Sequence, residues 1–171
     1  MAVSQFNLAE HQRAERKLLL TVAEWTEGTT VERELLGRRT EDSSVEYNAD
    51  QSTTTDILGI NYTDVNKTQP QQDFDPYLVL GGSKLGAKLN DIRRRNALSE
   101  LSQFTLYLIT AYIGNANDGY QAEKHVNCTI QYNSLGGDAN VNMPISAFFS
   151  NDITNGTVNK LSIDFVFTPD A

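Results

Sequence analysis

Phe104-Thr105-Leu106-Tyr107-Leu108-Ile109-Thr110-Ala111-Tyr112-Ile113 is the stretch whose reading decides the fold. Taken two by two, Phe104, Leu106, Leu108 and Tyr112 fall on one side and Tyr107, Ile109, Ala111 and Ile113 on the other. A strand apolar on both sides is buried on both sides, by core on one and by a helix or a neighbouring subunit on the other. Downstream the period of two continues. Asn115 to Gly119 is a turn, and Val126, Cys128, Ile130 and Tyr132 then alternate with Asn127, Thr129, Gln131 and Asn133. Gly136-Gly137-Asp138 turns the chain again. Val141, Met143, Ile145, Ala147 and Phe149 alternate in the next run, and Leu161, Ile163, Phe165 and Phe167 in the last. These runs predict an antiparallel sheet with one polar face. The expected class is mainly β, a sandwich or barrel with one helix packed against it.

Upstream of the deciding stretch lies that helix. Gly81-Gly82 breaks the pattern and leaves Ser83 as an N-cap. Leu85, Leu89 and Ile92 follow at i, i+4 and i+7, one apolar stripe. The spacing predicts a helix over 83–96, with Lys84, Lys88, Arg94 and Arg95 mostly off the stripe. Further upstream, residues 1–16 have no clear period and read as an N-terminal arm, in part open to a helical reading. Lys17 to Trp25 suits a strand or a short helix, Thr26-Glu27-Gly28-Thr29 is a turn, and Val31 to Gly37 reads as the second strand of a hairpin.

Residues 41–76 are different in character. Ser44 to Ala49 alternates, with Val45, Tyr47 and Ala49 opposite Ser44, Glu46 and Asn48. Thr53 to Thr63 is rich in β-branched and aromatic residues, and Asp50-Gln51-Ser52 between the two reads as a bend. Lys67 to Phe74 suits a strand confined by Pro70 to an edge or bulge. The segment is extended and poor in core material. From Glu41 to Asp75 it carries eight acids against one base, Lys67, a net of −7 out of −8 for all 171 residues. The expected organisation is therefore a single domain, 1–171, with an arm (1–16), an acidic extended segment (41–76), a helix (83–96) and strands from 103 to 168.

Composition narrows the function. With 39% apolar and 21% charged residues the chain is neither disordered nor membrane-spanning, since no run approaches the roughly 18 apolar residues a span needs. No membrane insertion is expected, and the opening residues lack the apolar stretch of a secretory signal. The acidic balance argues against general affinity for nucleic acid, which Lys and Arg would supply. Cys128 is the only cysteine, so no intrachain disulfide forms, and it reads as a small buried hydrophobe.

Candidate sites are few. His11 and His125 lie far apart without ligand-like spacing and read as surface residues. Gly81-Gly82-Ser83-Lys84 lacks the spacing of a P-loop and reads as a capped turn. Asp73 and Asp75 share a face but suit calcium poorly without further ligands. Asn61, Asn66, Asn127 and Asn155 open glycosylation triplets that carry no weight without secretion. Arg93, Arg94 and Arg95 fan around a helix and suit salt bridges to an acidic neighbouring subunit, or simple solvation, better than a phosphate row. No nucleophile, base and orienter stand together; no enzyme activity, cofactor or metal is expected.

The stretch from Asp56 through Ile57-Leu58-Gly59-Ile60-Asn61-Tyr62-Thr63-Asp64-Val65-Asn66-Lys67-Thr68-Gln69 to Pro70, running on to Phe74-Asp75-Pro76-Tyr77, resembles a segment of the major tail proteins of phages and prophages of Gram-positive bacteria. Leu36 to Ser44 and Leu135 to Ala139 are similar to the same group. The resemblance implies a phage tail tube-like fold, a β-sandwich with a flanking helix, an N-terminal arm and a long loop gripping the next ring. It implies hexameric rings stacked into a hollow tube, located in the virion after assembly in the bacterial host cytoplasm. Its partners would be copies of itself and other tail proteins such as the tape measure and tail completion or distal proteins. Double-stranded DNA would pass without specific binding during ejection.

The acidic segment fits that role physically, because a cationic lining would hold the genome by counterion release. Six copies would bring roughly forty negative charges to the channel, felt within about 8 Å at physiological salt. Glu46, Asp50, Asp56, Asp64 and Asp73 are the expected lumen-facing acids; an inter-ring position for some of them is the alternative. Two other readings stand beside this one: the tube of a contractile bacteriocin-like particle, and a β-sandwich carbohydrate- or receptor-binding module. Against the module, Trp25 is the only Trp and the seven Tyr are scattered.

Overall fold

The computed structural model describes residues 6–171. In chain order its strands are β1 (Leu19–Glu27), β2 (Thr30–Leu35), β3 (Val45–Glu46), β4 (Asp50–Thr55), β5 (Asn61–Lys67) and β6 (Gln71–Phe74). Helix α1 (Lys84–Arg95) follows, then β7 (Phe104–Asn115), β8 (Gly119–Tyr132), β9 (Ile145–Phe148), β10 (Ile153–Val158) and β11 (Phe167–Pro169). Short 3-10 turns precede β1, at Arg16–Leu18, and β7, at Leu98–Ser102. Every strand pairing is antiparallel, and among the described residues α1 is the only α-helix. The architecture is the mainly-β, antiparallel one that the alternation predicts.

The long hairpin β7–β8 is the spine. β1 pairs with β7 from Leu19↔Thr110 to Glu24↔Thr105, and β2 lies outside β1. β8 serves two partners in turn: its first half pairs with β10, from Tyr120↔Val158 to His125↔Ile153, and its last residues pair with β9, from Thr129↔Phe148 to Tyr132↔Ile145. The change comes at Asn127, which adopts a positive φ of 55°, a conformation Asn tolerates better than most residues. β9 continues to β6 and β6 to β3.

Both faces of β7 are buried, as its two-sided pattern predicts. Phe104, Leu106 and Leu108 join the main core with Trp25, Phe74, Cys128, Ile130 and the helix residues Leu85, Leu89 and Ile92. Each of those three helix residues is fully buried, which stabilises by about 1.5–3 kcal/mol apiece relative to exposure. Tyr107 and Ile109 pack on the other face with Val22, Ala122, Val158 and Phe165. The cover on that second face is thus neither a helix nor a neighbouring subunit but the chain's own C-terminal segment.

The helix begins and ends close to expectation. Ser83 Oγ accepts from the Gly86 N–H at 3.0 Å, and Asn96 closes the helix with a positive φ of 53°. Residues 17–37 resolve into the β1–β2 hairpin. Of the arm, residues 1–5 lie outside the described residues; Phe6 bridges to Ile113, and Asn7 Nδ2 donates to the carbonyls of Ala111 and Gly114.

Three expectations need correction. The run Leu161 to Phe167 is not one strand: 159–166 is a loop held by Asp164, which accepts from Lys160 and Ser162, and only Phe167 enters a strand, β11. Ile163 stays half exposed there while Phe165 turns inward. The strand in this region is β10, where Asn155-Gly156 imitates a turn. A Cβ at Gly156 would come within 2.3 Å of the Thr168 carbonyl oxygen and 2.7 Å of the Phe167 ring, so the glycine is there for the close approach of β11. In the acidic segment, Asp50-Gln51-Ser52 is not a bend but the start of β4, and the turn falls at 56–60. Finally, β6 runs between β9 and β3 rather than on an open edge, with Pro70 buried just ahead of its first residue.

Candidate assembly surface

The loop at 56–60 joins β4 and β5 into a two-stranded sheet separate from the main one. Asp56 makes the turn. Its Oδ1 accepts from the N–H groups of Leu58 at 2.8 Å and Ile60 at 2.9 Å, its Oδ2 accepts from Tyr62 OH, and Gly59 takes a positive φ of 78°. These donors, the Ile60 N–H foremost, hold the Asp56 carboxyl below the usual range. Side chains then lace the strands together: Thr53 with Thr63 at 3.1 Å, Thr55 to Asn61 at 2.6 Å and Ser52 to Asn66 at 3.3 Å.

Every residue of β4 and β5 is exposed. At the tip Ile57 is 102% exposed and Leu58 77%, with Ile60, Tyr62 and Val65 about half exposed behind them. Isolated apolar residues on a surface mean little. Ile57, Leu58 and Ile60 stand together at the turn, whereas Val65, opposite Gln51, lies near the base on the other face from Tyr62; a lone two-stranded hairpin is marginal in water. Six residues of strand carry the tip about 20 Å from its base.

The five expected acids divide between this hairpin and the sheet margin. Asp56 is committed to the turn, Asp50 stands opposite Lys67 at the base, and Asp64 sits opposite Ser52 on an exposed face. Glu46 is exposed on β3, and exposed Asp73 on β6 accepts from Gln71 Nε2 at 2.9 Å. Of the arginines, Arg95 already has partners inside the chain: Asp91 at 2.7 Å and Glu100 at 2.8 Å. Arg93 donates to Asn90 at 3.0 Å, and Arg94 is exposed. The paired cations Arg95 and then Lys88 hold the Glu100 carboxyl down at about 2.

At the helix N-terminus the anion is the chain's own. Glu34 accepts from the Leu85 N–H at 2.9 Å, from Ser83 Oγ at 2.8 Å and from Tyr77 OH at 2.9 Å, so the capped-turn reading of Gly81 to Lys84 holds. Cys128 is buried, its thiol pushed up by that burial. His11 is exposed as expected, but His125 is not a surface residue. It is 3% exposed, donates from Nδ1 to the Ser150 carbonyl at 3.0 Å, faces Glu123 with Nε2 at 3.3 Å and meets the Phe149 ring edge-on. Among the described residues, no three His, Cys, Asp or Glu side chains stand together to hold a metal ion, and no helix is long and apolar enough to cross a membrane.

A groove opens where the start of β1, the exit from β2 and β6 meet, with a cavity of about 410 Å³. Leu19, Leu36 and Phe74 line it together with buried Thr21 and Gln72, hydrogen-bonded to each other at 2.6 Å, and Arg16, Arg38, Glu41 and Lys17, the last paired with Glu15 at 2.6 Å, line it too. Sequence reasoning missed both the apolar tip and this groove. The Asp56-x-x-Gly59 spacing was the available signal for the tip; the groove joins residues more than fifty positions apart and leaves no local signature.

No protein-family model matches the chain, and no curated protein matches it. Among solved structures the chain is similar to a chain of the anti-feeding prophage cap, the tube-terminating cap, with a TM-score of 0.51 and 13% identity. That likeness covers 92% of this chain and 99% of the other. A chain of the 6-fold symmetrised anti-feeding prophage baseplate gives a TM-score of 0.44 at 11% identity, over 90% and 100% of the two chains. At such identity the first likeness is one of fold.

Proposed function

We propose that this chain is a structural subunit of a phage tail or phage-tail-like particle, closing as six copies into a ring and stacking ring on ring into a hollow tube. The observation that carries this reading is the hairpin β4–β5: a finished, well-capped element with every strand residue exposed and an apolar tip. Such an element has a purpose only against another surface. The fold shared with a chain of the anti-feeding prophage cap supports placing that surface in a tail-like assembly, as does the resemblance to major tail proteins carried by Asp56 to Tyr77.

The acidic segment gives the tube its second property. Glu46, Asp64 and Asp73 are exposed on extended backbone, and Asp50 and Asp56 extend the same ribbon. Facing a channel, they would repel phosphate and let a duplex slide without binding. Exposed Arg94 and Arg93 are the cations free to meet an acidic neighbour. Tape-measure and tail-end proteins are the further partners of such a tube, and its place is the virion. No catalytic role is part of this reading.

Negative-stain microscopy of the purified chain tests it. Rings or hollow filaments are the expected result; persistently monomeric particles across a range of salt concentrations overturn it.

A further inference from the structure

We infer that residues 159–171 form a strap that lifts from the sheet as a unit, with Arg33 as its latch, baring the face of Val22, Tyr107 and Ile109 while the main core stays folded. The device belongs to the single chain and works whether or not copies assemble.

The two cores depend on the C-terminal segment differently. The main core, from Trp25 and Phe104 to the helix residues Leu85, Leu89 and Ile92, contains no side chain beyond Phe149. The second core, on the opposite face of β7, is closed by Phe165 with half-buried Phe167 beside it. Both rings meet Tyr107 edge-on, at centroid distances of 4.9 and 5.6 Å. From β10 the strap reaches over β8, β7 and β1 to Arg33 of β2, then returns to pair with β10 as β11. Arg33 Nη1 donates to the Phe165 carbonyl at 2.7 Å and the Ile163 carbonyl at 3.4 Å. Its guanidinium carbon lies 4.2 Å from the Phe165 ring centroid, and its Nε donates to Glu24 at 2.6 Å. A planar fork that bonds backbone and stacks on a ring is a grip lysine does not reproduce.

Away from that grip the strap is loosely held. Residues 159–164 are exposed, and Asp164 accepts from Lys160 and Ser162 within the loop itself. β11 adds three residue pairs with β10. A void of about 20 Å³ lies between Leu161 and Ile163 on the strap and Val22, Leu35 and Ile109 on the sheet. Side chains facing a void forgo dispersion contacts, so Arg33 and two phenyl rings carry most of the resistance to lifting. Segments with few buried contacts open locally before the molecule unfolds.

Thiol labelling reads the opening, because each core can carry one sulfur. Cys128 already sits in the main core, 1% exposed. Val22→Cys puts a second thiol under the strap, at a position 2% exposed. In native buffer, with folding checked by circular dichroism, the introduced thiol should react with a maleimide at least about tenfold faster than Cys128. Adding Arg33→Lys, which keeps a cation beside Glu24, should speed that reaction roughly tenfold more and leave Cys128 unchanged. Equal rates at the two thiols overturn the strap, since the face would then open only with global unfolding; no response to Arg33→Lys overturns the latch. Hydrogen exchange of the unaltered chain tests the same point without a substitution. The bonded amides of Asn159, Val166 and Asp170 should share one opening constant, larger than that of Leu89 and Ile92 in α1. Independent constants, or one equal to that of α1, overturn the strap.

Discussion

Two hairpins of this chain share a backbone pairing and differ in everything that covers it. In β7–β8, Phe104, Leu106 and Leu108 on one face and Tyr107 and Ile109 on the other find partners among the chain's own side chains. In β4–β5 the strands are held by a ladder of Thr, Ser and Asn contacts, and Ile57 and Leu58 stand at the tip with nothing above them. The first hairpin is stabilised by burial and would exist in a single molecule. The second is stabilised by hydrogen bonds that water also offers, each worth only about 0.5–1.5 kcal/mol net. On the proposed reading, folding information and assembly information occupy separate parts of the sequence, and substitutions should separate them too.

The largest effect belongs to the covered hairpin. Phe104 is 1% exposed and meets Trp25 edge-on with ring centroids 6.1 Å apart. Phe104→Ala removes that contact and opens a cavity between sheet and helix, at a cost of about 3–5 kcal/mol. Denaturant unfolding of the monomer measures it, and a loss under 1 kcal/mol would mean the two hairpins are not as different as drawn here. A smaller loss is expected where the helix is tied to β2. Glu34→Ala leaves the Leu85 N–H, Ser83 Oγ and Tyr77 OH without their common acceptor, costing about 1–3 kcal/mol by the same measurement.

How much of this was legible follows the same division. Helix α1 was readable because Leu85, Leu89 and Ile92 keep a strict stripe and Ser83 supplies the cap. β7 was readable because both of its faces are apolar. The buried positions of β8 run Ala122, His125, Cys128 and Ile130, so the period of two slips beside the register shifts against β7. That slip hid His125. β10 was hidden by Asn155-Gly156, a turn signal in most settings, used here to let the β11 backbone at Thr168 and the Phe167 ring approach. Along Thr53 to Thr63 the β-propensity is continuous, and the turn is made by one side chain, Asp56, accepting from two backbone N–H groups. Propensity sums cannot weigh a single carboxylate of that kind. Where the five acids lie was legible as a segment, not as a face, because which way they point is set by neighbours.

A third expectation concerns acid. Glu100, on the 3-10 turn ahead of β7, is held at about 2 against an ordinary 4.5, first by Arg95 and then by Lys88. Its folded value is depressed, so the stabilisation is present above pH 4.5 and is lost as pH falls toward 2. Across that window the unfolded chain takes up a proton that the folded chain refuses. Asp164, held at about 2 by Lys160 and Ser162, acts in the same direction. Unfolding midpoints collected between pH 5 and 2 should fall more steeply for the native chain than for Glu100→Gln. Equal slopes would show that the ion pairs flanking α1 contribute nothing to the covered half.

The smallest expected effect is the most informative about the comparison. Leu58→Ser replaces a large apolar side chain that has no cover in the monomer, so nothing packed is lost on folding. Unfolding of the isolated chain should move by no more than about 0.5 kcal/mol, the range of an ordinary surface substitution. The same change made in the core, at Leu89, would cost several times that by the cavity argument. If Leu58→Ser destabilises the monomer by as much as a core change, the tip is already covered in solution by part of the same chain. The hairpin would then be a folding element rather than an assembly element. If monomer stability is unchanged while ring formation is lost, the apolar tip acts only between molecules, and the separation of the two hairpins is complete.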